Sequence, residues 1–381
     1  MKVSQRGLTV CLGAFLWASV ANAYETTARN ALLMDFDTGE YLYAKNETEA
    51  VPPASMSKLM TVYILMSKIK EGSIKLDDTF SVSENAWRKG GAATGGSTMF
   101  LSIGDNVSVE NLIKGIVIQS GNDACIVVAE NISGTEDDFA ILMNKTAKQM
   151  GLKNSSFANS TGLPHPDHKM SMEDLAILSR HIIKEFPDLY HYFSEKEFKY
   201  NNINQGNRNP LLYSMKGADG LKTGHTEEAG FCLNASAVKD GRRLIEVMSG
   251  MKSNKERSEE AERLMSWGFR EFNNYKLFKK GQVVAKAKVW YGKQKKVGLT
   301  VAEDVIKTIH LSQADNAKAD IEYDEPIKAP IKAGQKIGQL KIEIKDSPAL
   351  TVPLVAAQDV EKVGLWGRFW ANVKYFVFGA K

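Results

Sequence analysis

The pattern of apolar residues changes character once along this chain, and the change limits the folds available to it. Up to residue 278, short runs that predict strands lie at both ends of a series of helical patterns. From residue 279 to 357 only short β-like runs occur, split by glycine, proline, aspartate and asparagine. We therefore expect an α+β domain over residues 24–278, with helices packed on an antiparallel sheet, and a small all-β domain over residues 279–357.

The predicted elements of the first domain follow from periodicity and turn residues. At 381 residues the chain is long enough for two domains. The pattern predicts two hairpins, at residues 30–45 and 228–249. It also predicts helices at residues 55–71, 109–119, 123–131, 136–150, 171–184 and 254–272.

The first 23 residues predict an export signal. Lys2 and Arg6 precede the short apolar stretch 7–20, and residues 21–23 form a small-residue cleavage site. The apolar stretch is shorter than the about 20 residues that a membrane-spanning helix needs. We therefore expect cleavage before Tyr24 and export across a bacterial inner membrane.

Charge and cysteine content exclude two classes of protein. A formal net charge of +4, without a long basic run, does not provide the concentrated basic patch that nucleic-acid binding requires. The chain expected after cleavage has two cysteines, Cys125 and Cys232, both among apolar residues. Two cysteines are too few for a disulfide framework, so we expect two buried free thiols without a catalytic role.

Residues 358–381 predict an amphipathic helix. One helical stripe contains Leu365, Trp366, Phe369, Trp370, Val373, Phe376 and Val377. The two tryptophans and the flanking lysines and arginine suit a lipid headgroup interface, so we expect this helix to hold the protein on a membrane surface. A terminal helix docked on its own domain would explain the apolar stripe equally well. The run is too short and too interrupted by polar residues to span a bilayer.

Ser55 and Lys58 lie in the stretch 51–61, where two prolines precede an apolar helical run. Positions i and i+3 share one helix face, so the Lys58 amine can reach the Ser55 hydroxyl. A helix N-terminus stabilises a developing alkoxide, and a lysine can act as the base where burial and a nearby cation lower its pKa. The same spacing recurs, for example at Ser67 and Lys70, so the pair alone favours a simple helix cap.

Two further motifs change this assessment. Ser120 and Asn122 form an S-x-N triplet in a turn between two helical patterns, where they can relay protons and hold a substrate amide. Lys222 supplies a second cation, and Thr223 can bind a carboxylate. Gly224 lets a substrate backbone lie close to a predicted strand. The order S-x-x-K, S-x-N, K-T-G is that of the active sites of penicillin-binding proteins and serine β-lactamases.

The chain resembles the D-alanyl-D-alanine carboxypeptidases, the low-molecular-mass penicillin-binding proteins of the serine peptidase S11 type, over nearly its whole length. The resemblance rests on the three motifs and on the matching segments SKLMT, QSGNDAC, NRN, DGLKTGHT and AGFCLNASAV. It implies that Ser55 is the acylated nucleophile and Lys58 its base. Ser120 and Asn122 would complete the catalytic centre.

The resemblance also assigns binding residues. The triplet Lys222-Thr223-Gly224 would lie on the strand beside the substrate, and the backbone N–H groups of Ser55 and His225 would form the oxyanion hole. Arg208 and Arg257 resemble family residues near the terminal carboxylate of the substrate.

The implied activity is removal of the terminal D-alanine from peptidoglycan stem pentapeptides, with β-lactam antibiotics as covalent inhibitors and no metal or other cofactor. The implied location is the periplasm, on the outer face of the inner membrane, with a role in the cell wall and cell shape. The alternatives are a weak serine β-lactamase, a D,D-endopeptidase side activity, and a catalytically idle peptidoglycan-binding protein. Residues 140–200 lack the E-x-x-L-N segment of class A β-lactamases, and Glu173 lies in a predicted first helical turn, so we expect slow release of penicillin.

Two other segments have plainer explanations. His165, Asp167 and His168 could bind a metal by composition, but two prolines put them in a loop and no third ligand is evident, so we expect a polar loop near the site. Segment 89–97 is rich in glycine but lacks the order of a phosphate-binding loop. We expect it to be a flexible loop that borders the active site.

Overall fold

The chain divides into two compact units between Arg270 and Glu271, in a computed structural model that describes residues 2–9, 24–345, 349–367, 369 and 373. The division precedes the strand Phe272–Phe278, whereas the apolar pattern suggested a boundary after it. The reason is pairing: Phe272–Phe278 forms a two-stranded sheet with Val305–His310, so it belongs with the second unit.

The strands of the first unit are all short or of moderate length. They are β2 Asn30–Asp35, β3 Tyr41–Lys45, β4 Thr79–Ser81, β5 Asn106–Ser108, β6 Glu197–Tyr200, β7 Ile203–Gly206, β8 Ala218–Thr226, β9 Gly230–Lys239 and β10 Arg242–Met251; the label β1 is given to Lys2–Thr9.

The helices of the first unit lie between and after these strands. They are α1 Lys58–Lys70, α2 Glu84–Gly90, α3 Val109–Val117, α4 Asn122–Ser133, α5 Glu136–Met150, α6 Met172–Glu185, α7 Leu211–Ser214 and α8 Asn254–Glu271. Side chains of Ser83, Ser108, Thr135 and Ser171 cap α2, α3, α5 and α6 by accepting the backbone N–H three residues later.

An antiparallel sheet in the order β3-β2-β10-β9-β8 forms the centre of the first unit. Successive side chains along each strand point to opposite faces of the sheet, so they contribute alternately to two cores. On one face, Leu32 and Val247 join the large core formed with α1 and α3–α6. On the other face, Leu33 and Met248 pack with α8. This arrangement confirms the predicted α+β architecture, and both predicted hairpins and all six predicted helices are present with small shifts at their ends.

The second unit is a β structure. Its strands are β11 Phe272–Phe278, β12 Val283–Trp290, β13 Lys296–Val301, β14 Val305–His310, β15 Lys318–Asp324, β16 Ile327–Lys328, β17 Lys336–Glu343 and β18 Leu350–Ala356. A seven-stranded sheet has the order β1-β15-β17-β18-β13-β12-β16, and its alternating apolar residues form a separate core. The all-β prediction for this part of the chain is confirmed.

The two chain ends lie partly outside the described residues. Lys2–Thr9 pairs antiparallel with Lys318–Asp324 in the uncleaved chain, whereas residues 10–23 are not described, so the export signal stays a prediction. The helix predicted over residues 358–381 is also largely outside the described part; residues 365–367 are helical, and Leu365 and Trp366 are exposed. Within the described ranges, no helix has both the length and the apolar character needed to cross a membrane.

Candidate active site

Ser55 lies in a tight 3₁₀ turn, Ala54–Ser57, immediately before α1. Ala54 has a φ of 48°, a left-handed conformation that costs energy for a residue with a side chain and is typical of functional sites. Neighbouring backbone packs tightly against this turn: a Cβ atom on Gly162 would lie 2.1 Å from the Ala54 carbonyl oxygen. The Ser55 side chain is not a helix cap, because its Oγ accepts a hydrogen bond from Lys58 Nζ at 2.9 Å.

Lys58 is the first residue of α1 and is only 1% exposed. The helix is buried on almost all sides from Lys58 to Met66, so it runs through the core and carries the lysine into it. Besides Ser55, the Lys58 ammonium donates to Asn122 Oδ1 at 2.7 Å and to the Thr161 carbonyl oxygen at 2.5 Å. The amine is therefore fixed at hydrogen-bond distance from the hydroxyl that it would deprotonate.

The electrostatic environment makes the Lys58 ammonium easier to deprotonate. Burial lowers the pKa of its ammonium to about 8, and the Arg208 guanidinium acts in the same direction. Burial also holds the pKa of Lys222 well below its usual range, with Lys58 and Arg208 as the neighbouring cations that add to this effect. The sequence assigned the role of second cation to Lys222 alone; in the structure, Arg208 acts on both lysines.

The S-x-N turn joins α3 to α4. Ser120 is 2% exposed and has a φ of 63°, again a left-handed conformation, which turns its side chain into the site. Asn122 begins α4, and its backbone N–H donates to the Ser97 carbonyl oxygen at 2.8 Å. Because Asn122 Oδ1 also accepts from Lys58, this turn is joined directly to the first residue of α1.

Asp123 holds this turn in place. Its buried carboxylate accepts hydrogen bonds from Thr98 Oγ1 at 2.7 Å and from the backbone N–H groups of Met99 and Leu101. These charge-assisted bonds connect the beginning of α4 to the segment that precedes β5. No catalytic motif of the sequence pointed to Asp123, although it directly follows Asn122.

The K-T-G triplet lies on β8, at the edge of the sheet next to Ser55. A Cβ atom on Gly224 would lie 3.0 Å from Ala54 Cβ and 3.3 Å from Ser55 N, so only glycine allows this strand to approach so closely. The backbone N–H groups of Ser55 and His225 therefore belong to adjacent segments, as an oxyanion hole requires.

A cleft of about 620 Å³ opens above these elements. It brings together seven of the residues that the sequence singled out, namely Ser55, Ser120, Thr223, Gly224, His225, Arg208 and Arg257. Arg257 is held by Asn254 Oδ1 at 2.5 Å, and its buried Nε has no hydrogen-bond partner among the described residues. Arg208 donates to Ser97 Oγ at 2.5 Å. The two guanidinium groups make this end of the cleft suitable for a carboxylate.

Comparison with known proteins agrees with this geometry. Residues 18–253 match the family model described as D-alanyl-D-alanine carboxypeptidase, and residues 272–362 match the one described as the C-terminal domain of penicillin-binding protein 5. The chain belongs to the D-alanyl-D-alanine carboxypeptidase family. Its fold is therefore that of a penicillin-binding protein followed by the family's β-rich domain.

Individual members of the family match over most of their length. D-alanyl-D-alanine carboxypeptidase DacC of Escherichia coli is 40% identical over 366 residues, which cover 93% of this chain and 92% of the relative. DacF of Bacillus subtilis is 39% identical over 88% of this chain and 87% of its own. The crystal structure of penicillin-binding protein 5 from Haemophilus influenzae superposes with a TM-score of 0.81 at 36% identity, covering 89% of this chain and 99% of that one.

The remaining motifs have structural roles in this family member. Ser83 and Asn85 form a second S-x-N triplet at the start of α2. The Ser83 hydroxyl caps this helix, and both side chains donate to Glu130. Segment 89–97 borders the site, as predicted, since a Cβ on Gly96 would touch Asn122 Nδ2. Cys125 and Cys232 are buried free thiols, and burial raises the pKa of Cys125 to about 12.

The loop that contains His165, Asp167 and His168 differs from the prediction in one respect. His165 is exposed, but His168 is only 2% exposed and forms a 2.6 Å hydrogen bond with Ser57 Oγ, so it is a buried residue that contacts the turn Ala54–Ser57. No group of three potential metal ligands occurs in the part of the chain that the structure describes.

Sequence reasoning missed several residues that complete the site. Ser97 and Asn254 line the cleft and orient the two arginines, and the Thr161 carbonyl binds Lys58. None belongs to a recognisable motif. Glu173 lies in the first turn of α6, as predicted, where its carboxylate accepts a hydrogen bond from Tyr41.

Proposed function

We propose that this chain is a serine-type D-Ala-D-Ala carboxypeptidase that removes the terminal D-alanine from peptidoglycan stem pentapeptides. The observation that carries this proposal is the buried Lys58 amine at 2.9 Å from Ser55 Oγ, beneath a cleft with two arginines at one end. A base of lowered pKa beside a serine at a helix N-terminus is what nucleophilic catalysis requires.

The first half of the reaction forms the acyl-enzyme. Ser55 Oγ attacks the carbonyl carbon of the penultimate D-Ala residue, and neutral Lys58 accepts the hydroxyl proton. The N–H groups of Ser55 and His225 stabilise the oxyanion. The C–N bond then breaks, and the proton returns through Ser120 to the nitrogen of the departing D-alanine. Arg257 and Thr223 hold the terminal carboxylate during this step.

The second half releases the shortened peptide. Water attacks the ester carbonyl and gives one proton to Lys58. As the ester bond breaks, Lys58 returns that proton to Ser55 Oγ. The new carboxyl group loses the second water proton to solvent, and the peptide leaves as a carboxylate. β-Lactams enter the same pathway as far as the acyl-enzyme, because their amide carbonyl meets the same nucleophile.

The speed of this second half separates the proposed function from a weak β-lactamase. The Glu173 carboxylate is bound to Tyr41 at the start of α6 and is no candidate for holding a deacylating water. We expect a penicillin adduct that persists, and D-alanine release from a pentapeptide. Intact-mass measurement after a penicillin pulse, together with a chromatographic D-alanine assay, tests both; rapid loss of the adduct would favour the β-lactamase. D,D-Endopeptidase side activity is measured on a cross-linked peptide in the same assay.

We also propose that the protein works in the periplasm. The charged, apolar and small-residue regions of residues 1–23 support export, and peptidoglycan is the substrate. N-terminal sequencing of the mature protein should begin at Tyr24.

A membrane surface is the further partner that we propose, through residues 358–381. Leu365 and Trp366 are 77% and 80% exposed, which suits insertion into a headgroup layer. A protein without residues 360–381 should move to the soluble fraction after cell lysis. Persistence of the truncated protein on membranes would contradict this anchor.

A further inference from the structure

His168 connects the nucleophile turn to a loop that also contacts the general base. The loop over residues 156–169 is closed at its base by two hydrogen bonds between the backbones of Ser156 and Lys169. His168 lies inside it and contacts Ser57, two residues after the nucleophile, at 2.6 Å. The mechanism described above gives this buried imidazole no role.

The hydrogen bonds of His168 determine its tautomer. The backbone N–H of Ala158 donates to Nδ1 at 3.3 Å, so Nδ1 carries a lone pair. The proton of a neutral ring is then on Nε2, which donates to Ser57 Oγ. Burial lowers the pKa of His168 to about 4, which agrees with a neutral ring. The charged or titratable groups around it are Lys58 of α1, His165 of the same loop, and Glu228, which lines the small cavity beside the ring.

The same loop supplies a hydrogen-bond acceptor for Lys58. The Thr161 carbonyl accepts from Lys58 Nζ at 2.5 Å, and the Ser160 carbonyl accepts from Thr61 Oγ1 at 2.7 Å, so the loop lies along the first turn of α1. Gly162 has a φ of 76° and no room for a side chain against Ala54. A small displacement of the loop would therefore move the Thr161 carbonyl away from the amine.

We propose that His168 is a positioning residue for the general base: its bonds to Ser57 and Ala158 hold the 156–169 loop against α1 and keep the Thr161 carbonyl on Lys58. This inference rests on the proposed function, because it assumes that Lys58 is the base for acylation of Ser55. It assigns no proton transfer to His168 itself.

Two substitutions separate the two bonds of the imidazole. His168→Gln can place an amide N–H near the position of Nε2 and so keep the bond to Ser57, whereas His168→Asn can replace only Nδ1. Ser57→Ala removes the other partner and leaves the imidazole in place. His165→Gln, in the exposed part of the same loop, is the matched control.

The experiment measures the second-order rate of acylation by a fluorescent penicillin from pH 5 to 10, per acylatable enzyme, together with the melting temperature. We expect His168→Leu, His168→Asn and Ser57→Ala to slow acylation by about tenfold to a hundredfold, as a displaced base does. In these variants, the rise of the acylation rate with pH (the acid limb of the pH–rate profile) should move to higher pH. Water admitted beside Lys58 reduces its burial and so raises its pKa. The acylation rate of His168→Gln should stay within about threefold of the wild-type rate. The control His165→Gln should acylate at the wild-type rate. The double variant Ser57→Ala/His168→Leu should acylate no more slowly than the slower of the two single variants, because both substitutions break the same hydrogen bond.

A melting temperature that falls while the acylation rate and the acid limb stay at their wild-type values would overturn the inference and leave His168 a packing residue. Ser57→Ala keeps the test decisive if His168→Leu does not fold. The wild-type measurement separates the two claims: a wild-type protein that forms no Ser55 adduct refutes the proposed function, whereas an active wild type with unaffected variants refutes only the role of His168.

Discussion

The Nζ atom of Lys58 lies 2.9 Å from the Oγ atom of Ser55, at the first turn of a helix that is buried on almost all sides. The position explains both properties that catalysis needs from this lysine. The tight turn before α1 brings the hydroxyl within reach, and the core around α1 withdraws the amine from water. A solvent-exposed lysine at the same spacing would keep the ordinary pKa of an ammonium group and stay charged to a higher pH than Lys58.

Acylation should therefore depend on the protonation of Lys58. The pKa of about 8 means that the neutral base becomes populated as pH rises through about 8, so the acylation rate should increase over that range and level off above it. Lys58→Arg keeps a cation that cannot lose its proton, and it should slow acylation by about 10²- to 10⁴-fold. Stopped-flow acylation by penicillin measures both effects. Lys70→Arg is the matched control, because Lys70 has the same spacing from Ser67 but is exposed at the C-terminal end of α1.

Arg257 should discriminate substrates by their terminal carboxylate. The side chain is held by Asn254, and its buried Nε has no hydrogen-bond partner in the part of the chain that the structure describes. Arg257→Gln should lower kcat/KM for a peptide ending in D-Ala-D-Ala by about tenfold to a hundredfold, the effect of losing a charged hydrogen bond, and should change little for the corresponding C-terminal amide. Equal losses for both peptides would show that Arg257 has only a structural role. Arg263→Gln, further along α8 and paired with Glu260, is the control.

Asp123 should contribute more to stability than a surface acid does. Asp123→Asn replaces a buried acceptor of several N–H and O–H groups with a side chain that presents an amide N–H to them. We expect the free energy of unfolding to fall by about 3 kcal/mol, measured by urea denaturation. Asp105→Asn, which affects a more exposed bond to Ser102 N in the same region, should cost much less. Comparable losses in the two variants would contradict the anchoring role of Asp123.

The sequence motifs predicted the candidate catalytic residues, but not the residues that hold them in place. Ser55, Lys58, Ser120 and Lys222 could be assigned because each belongs to a motif with its own chemistry. The Thr161 carbonyl and the buried His168 could not be assigned, because their roles arise from packing between segments about 100 residues apart in sequence. A backbone carbonyl leaves no residue signature, and the prolines beside His168 indicate a loop without indicating that the loop is buried.

For the fold, too, local features could be predicted from the sequence and long-range pairing could not. Alternation and helical periodicity located the hairpins and the six helices, since each of these is a local signal. The sequence pattern predicted the end of the first domain at residue 278, whereas the structure divides the chain after Arg270. Phe272–Phe278 follows directly after α8, and only its pairing with Val305–His310 assigns it to the β unit. Strand pairing over that distance has no local signature in a single sequence.

Glu246 should make the protein less stable as pH rises. It lies on β10 between the sheet and α8, it is completely buried, and neither carboxylate oxygen has a hydrogen-bond partner within the described ranges. Burial holds its pKa well above the ordinary value of 4.5. Both folded and unfolded chains are protonated at this residue below that value; above it, only the unfolded chain ionises, so stability is lost as pH rises towards the folded-state pKa.

Glu246→Met removes this dependence. The variant should gain about 1.4 kcal/mol over wild type for each pH unit above roughly 4.5, until the folded-state pKa is reached. Urea denaturation at pH 4 and pH 7 measures the difference. Glu262→Met, at an exposed position of α8, should show no such trend. A constant difference between wild type and Glu246→Met at both pH values would show that Glu246 ionises as readily in the folded protein as in the unfolded chain.

Locating the acyl group tests directly whether Ser55 is the nucleophile. The protein is incubated with penicillin, digested, and its peptides are mapped by mass spectrometry. We expect one adduct, on the peptide containing Ser55, and none in the Ser55→Ala variant, which should also release no D-alanine from a pentapeptide. An adduct on Ser120 or another residue, or D-alanine release by Ser55→Ala at the wild-type rate, would contradict the assignment of Ser55 as the nucleophile.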